Sequence, residues 1–171
     1  MLAGSHPEAA MPSHLSFALQ LLDPRGRCDR KGFLTAAGAL LALQAAAVLG
    51  LWLSETAFDS GIVAAGNLAF LWLGYAAVSK RLHDLGRSAW WVPGGILAWV
   101  LGATIAAVGV VLFAGPQVLE PGKPGYWVVF AFMMLPLLGV ALWLHFAAGE
   151  PGANRYGPAP ASGGFSAPAR G

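Results

Sequence analysis

Charge is what this chain has least of. Asp, Glu, Lys and Arg make up 11% of its 171 residues, against 57% for hydrophobic types. An ordinary soluble domain carries roughly 25% charged residues. A chain this poor in charge cannot cover a globular surface in water, so its composition predicts a bilayer as its solvent. Cysteine is nearly absent as well. The lone Cys28 excludes an intramolecular disulfide and a multi-cysteine zinc site. Only its neighbours Arg27 and Arg30 could activate it as a thiol. Residues 1–14 lack a basic region leading an apolar core, so they read as a flexible polar N-terminus and not as a secretory signal. Residues 159–171 are rich in Ala, Gly, Ser and Pro and predict a disordered tail. Between them, residues 15–158 form one membrane domain.

Within that domain, four stretches contain no Asp, Glu, Lys or Arg: 33–53, 61–78, 90–114 and 126–148. A helix rises 1.5 Å per residue, so about 20 residues cover a hydrocarbon core of about 30 Å. The expected fold is an all-α membrane protein with four transmembrane helices. Nine of the ten Lys and Arg residues fall before the first span, between the second and third, or after the fourth. The remaining two loops hold Lys123 against Glu55, Asp59 and Glu120. By the positive-inside rule both termini face the cytoplasm. Leu15, Leu19 and Leu22 recur at helical spacing before Asp23-Pro24. They predict a short amphipathic helix, lying either in the interface or as a cap over the bundle.

Lipid tails are as apolar as leucine, so membrane helices associate through close packing of small residues. Gly38, Ala42, Ala46 and Gly50 form such a row in the first span, and Gly94, Ala98, Gly102 and Ala106 in the third. Both rows are expected to face protein. Gln44 and Asn67 are amides at membrane depth and predict an interhelical hydrogen bond, with a substrate path as the alternative. Pro136 predicts a kink in the fourth span.

The densest polar segment runs from Arg81 to Trp91. Lys80 and Arg81 suit the negative end of a helix dipole. Asp84 stands three residues from Arg81 and four from Lys80, within pairing distance on one helical face. Gly86 can close the helix, Ser88 can cap the next one, and Trp90 and Trp91 suit headgroup depth. This hairpin reading needs no chemistry. The competing reading makes His83 and Asp84 a proton-transfer pair or part of a metal site, with His145 and Glu150 approaching from the fourth span.

Three segments carry a resemblance to a known family: Gly26-Arg27-Cys28-Asp29-Arg30-Lys31-Gly32-Phe33, the Arg81–Trp91 segment with its Arg-Leu-His-Asp block, and Gly149–Pro158 with Gly152, Asn154, Tyr156 and Gly157. In that order, over about residues 23–160, they resemble the bacterial inner-membrane family called domain of unknown function 805 (DUF805). The resemblance departs at Gly32 and Leu34, where members commonly carry an acidic residue and a tryptophan, and at Ala159, where an aspartate is common. It implies a small multi-span protein of the bacterial inner membrane and supplies no activity.

All three segments fall on the cytoplasmic side of the expected topology. The sequence therefore points to a non-enzymatic membrane protein with no cofactor and no metal. Its cytoplasmic cap would be made by Arg27, Arg30, Arg81, His83, Asp84, Arg87, Trp90, Trp91, Asn154, Arg155 and Tyr156. The expected partners are the bilayer and its anionic phospholipids, or a membrane protein, including a second copy of the chain. A small oligomeric transporter or channel subunit is the alternative, and a membrane enzyme using His83 and Asp84 a further one. Nucleic acid is not an expected partner, because the few basic residues are accounted for by orientation.

Overall fold

The computed structural model describes residues 19–55, 60–166 and 168. Four helices dominate: α1 (Arg30–Leu53), α2 (Gly61–Asp84), α3 (Trp91–Ala114) and α4 (Pro124–Phe146). Each is long and apolar enough to cross a membrane, which makes this a multi-pass membrane protein. A single 3-10 turn, Pro116–Leu119, joins α3 to α4. Large apolar side chains lie on the outside, among them Leu41, Leu71, Ile105 and Phe113, as lipid-facing helices require.

Local chemistry sets the helix ends. Asp29 Oδ1 accepts from Gly32 N at 2.7 Å and starts α1. Ser60 does the same for α2 through Val63 N. α2 stops in a Schellman arrangement. Gly86 has φ +69°, its N–H donates to His83 O, and Arg87 N donates to Leu82 O. Ser88 Oγ then accepts from Trp90 N at 3.3 Å just before α3 begins.

α2 is the central helix and touches the other three. It runs a turn and a half beyond the expected end at residue 78, so Lys80, Arg81, His83 and Asp84 lie on the helix, and all four are buried. Residues 19–22 are helical and lie against the bundle. Leu21 packs with Ala36 and Ala77, and Trp72 Nε1 donates to Leu22 O at 2.9 Å. Leu19 and Leu22 of the expected apolar face are exposed, and Leu15 lies outside the described residues.

Three expectations need correction. The segment read as a disordered tail contributes a strand: β2 (Phe165–Ser166) pairs antiparallel with β1 (Arg27–Cys28). Its bonds to β1 and to Asp29 supply the order that its composition lacks. The small-residue row of α1 does not face protein within the chain. Gly38, Ala42, Ala46 and Gly50 are exposed, because the neighbours approach α1 on the side of Ala36 and Leu40. Nor do Gln44 and Asn67 pair. They line one crevice of about 300 Å³ between α1 and α2, and neither side chain has a hydrogen-bond partner among the described residues. α4 continues through Pro136, and Trp99 Nε1 of α3 donates to Met133 O one turn earlier, at 2.9 Å.

Candidate functional site

The polar residues gather at one end of the bundle, where α2 ends and the segments before α1 and after α4 come together. Gly26, with φ +84°, turns the chain into β1 and aims Arg27 at the end of α2. Arg27 Nε and Nη2 donate to Asp84 Oδ1 at 3.1 and 2.8 Å. Arg81, one turn earlier on α2, donates from Nη1 to Asp84 Oδ2 at 2.6 Å. Both guanidinium groups are fully buried and Asp84 is 3% exposed. One carboxylate thus bridges two arginines, and the cluster holds one positive charge in excess.

A buried ion costs several kcal/mol unless its donors are met. Backbone carbonyls meet them here. Arg27 donates to Glu150 O at 2.6 Å, to Gly157 O at 3.4 Å and to Gly152 O. Arg81 donates to Leu144 O at 2.7 Å and to Ala147 O. The last two acceptors are orphan carbonyls at the C-terminal end of α4, whose dipole is negative there. The excess charge is therefore placed against the negative ends of α2 and α4. The packing is close: a Cβ on Gly149 would collide with Asp84 Oδ2, while Glu150 N donates to Asp84 O at 2.8 Å.

His83 and Asp84 do not form a pair. Asp84 is turned to the arginines, whereas His83 Nδ1 donates to Gly26 O at 3.0 Å. The Tyr156 ring stacks on His83 with centroids 3.9 Å apart. Asn154 Nδ2 donates to His83 O at 3.0 Å and to Glu150 Oε2 at 2.7 Å. His145 lies edge-on to Phe146, and no three His, Cys, Asp or Glu side chains converge among the described residues. Cys28 is fully buried beneath the cap, and that burial raises its thiol pKa to about 12. The flanking arginines do not activate it.

The other cap residues face outward. Arg30 opens α1 and is exposed. Arg87 is exposed, with its guanidinium 5.1 Å from the Trp91 ring centroid, and Trp90 is 80% exposed. Arg155 is exposed and donates to Gly86 O at 3.3 Å. The eleven expected cap residues thus share one end of the bundle but divide into two sets. Arg27, Arg81, His83 and Asp84 are internal, with Asn154 and Tyr156 half-buried against them; Arg30, Arg87, Trp90, Trp91 and Arg155 look outward.

Some participants carry no signal in the sequence. The carbonyl acceptors are backbone atoms. Lys80 is 3% exposed and holds its Nζ 5.2 Å from the centroid of Phe165, a residue of the supposed tail. Ser79 Oγ is buried with no hydrogen-bond partner among the described residues. The spacing of Arg81 and Asp84 is the one local clue to the cluster.

The family model described as "Protein of unknown function (DUF805)" matches residues 21–119. The chain belongs to the DUF805 family. That match takes in the first two signatures, hence both arginines and Asp84, and ends before the Gly149–Pro158 segment. No curated protein and no solved structure matches the chain.

Proposed function

We propose that this DUF805 protein is a non-enzymatic protein of the bacterial inner membrane, with both termini in the cytoplasm and a cap that binds anionic phospholipid headgroups. The observation that carries the reading is the division of the arginines. Arg27 and Arg81 have their donors on Asp84 and on carbonyls. Their work is to hold three segments together. Arg30, Lys31 and Arg87 are exposed and have no acidic partner among the described residues. Arg155 is exposed beside them. A basic residue near an anionic leaflet is worth about 1 kcal/mol, and a guanidinium matches a phosphate with two parallel donors. Of the nine basic residues described, all but Lys123 lie at this end, which supports its placement in the cytoplasm.

The test is lipid retention. Protein extracted in polymer-bounded discs from native membranes should carry more anionic phospholipid than the bulk membrane. Arg30→Gln with Arg155→Gln should lower that excess and leave folding intact. Unchanged lipid composition would remove the proposal, and a stoichiometric copurifying protein would move the cap to a protein partner.

One observation favours the second reading, an oligomeric transporter or channel subunit. Gln44 and Asn67 line a common crevice with their amide groups unpaired among the described residues. A monomer in mild detergent with no flux in liposomes would end that reading.

A further inference from the structure

A cavity of about 750 Å³ lies beside the cap, among α2, α3 and α4. Leu82 of α2, Ala98, Gly102 and Ala106 of α3, and Pro136 and Val140 of α4 line it. The small residues of α3 leave the space open, and the polar group that approaches it is already satisfied, since Trp99 Nε1 donates to Met133 O. An apolar space of this kind gives water nothing to bond. Its size is that of an ordinary ligand pocket, about 300–1,000 Å³.

Trp91 lines the capped end of the same cavity. Arg87 stands over that ring at 5.1 Å, exposed and with no acidic partner among the described residues. A cation on an aromatic ring therefore marks the mouth of a hydrocarbon-lined groove. Indole rings favour headgroup depth, which sets the mouth at the level of lipid phosphates. A charge-free span of a second copy would fill the groove but offers no Asp or Glu to Arg87.

We propose that the groove holds an acyl chain of one anionic phospholipid, whose phosphate is bound by Arg87. The proposal rests on the reading that the exposed arginines meet headgroups, and adds a fixed seat for the chain. The apolar walls take the hydrocarbon, and the Arg87 fork takes the phosphate oxygens.

Native mass spectrometry of the protein released from nanodiscs of equimolar phosphatidylglycerol and phosphatidylcholine tests this. Both lipids carry a phosphate but only phosphatidylglycerol has a net negative charge, so wild-type protein should keep one phosphatidylglycerol in preference to phosphatidylcholine by about fivefold, the ratio that about 1 kcal/mol for one cation beside an anionic headgroup gives. Arg87→Gln should lower that preference toward equal retention. Gly102→Leu should expel the retained lipid by filling the groove. Ala103→Leu, on the same wall, provides a second filling variant should the first fail to fold. Equal retention of the two lipids by wild-type protein overturns the proposal. So does selective retention that survives both filling variants. If selectivity survives filling but falls in Arg30→Gln with Arg155→Gln, the headgroup reading stands and the groove is excluded. If no variant changes it, both readings fall.

Discussion

Asp84→Asn is the sharpest perturbation this structure offers. The substitution keeps the shape and removes the only carboxylate between two buried guanidinium groups. Three hydrogen bonds to a charged acceptor are affected, at 3.1, 2.8 and 2.6 Å. Taken singly, each is worth about 1.5–3 kcal/mol. They share one acceptor group and do not add, so the relevant figure is the loss of one partner from a buried pair, about 3–5 kcal/mol. No solvent discount applies, because Asp84 is 3% exposed. The amide nitrogen would also face guanidinium donors, which makes the change worse than a simple loss of charge. Unfolding in mild detergent by added dodecyl sulfate, followed by tryptophan fluorescence, gives the value. Glu120→Gln alters an exposed carboxylate away from the cap and serves as the control, expected within about 0.5 kcal/mol. In an Arg27→Met background the Asp84→Asn penalty should shrink, since only one cation is then left unpaired. A loss below about 1 kcal/mol for Asp84→Asn would show that the buried cluster does not hold the cap.

Gly149→Ala should destabilise by about 1–3 kcal/mol in the same assay, because its Cβ would meet the fixed Asp84 carboxylate. Gly86→Ala meets only the movable Glu150 side chain, so its cost should be the left-handed backbone alone, about 1–2 kcal/mol. Cys28 should resist maleimide in the folded protein at pH 8 and react on unfolding, since burial raises its pKa from 9.0 to about 12. The folded chain keeps a thiol proton that the unfolded chain releases above about pH 9. Stability should therefore be whole below pH 9 and fall as the pH rises toward 12, by more in wild type than in Cys28→Ala. Trp72→Phe removes the indole bond to Leu22 O; a loss of about 1 kcal/mol and faster proteolysis before Asp23 are expected.

The four helices were legible because length and hydropathy decide them, and residue spacing also gave the Arg81–Asp84 pair and the turn at Gly86. From the sequence Arg27 reads as one of the cap's binding residues. Counting side-chain anions leaves two arginines competing for one aspartate, and it misses the carbonyls of Leu144, Ala147, Glu150, Gly152 and Gly157 that absorb the surplus. Those acceptors lie 63 and 66 residues from Arg81 and 123 to 130 residues from Arg27, and backbone atoms leave no mark on composition. Phe165 stands among Ala, Gly, Ser and Pro residues whose composition predicts disorder. Its order comes from pairing with Arg27–Cys28 and not from local propensity. The small-residue rows misled in the opposite direction. In a chain this rich in alanine, such a row need not meet a partner, and the row on α1 stays open.

Mass-spectrometric mapping of arginines after treatment of the native protein with phenylglyoxal separates the arginines that hold the cap from those that face the headgroups. Arg30, Arg87 and Arg155 should be modified, while Arg27 and Arg81 should stay unmodified until the protein unfolds. Labelling of Arg27 or Arg81 at the rate of Arg30 would contradict that division.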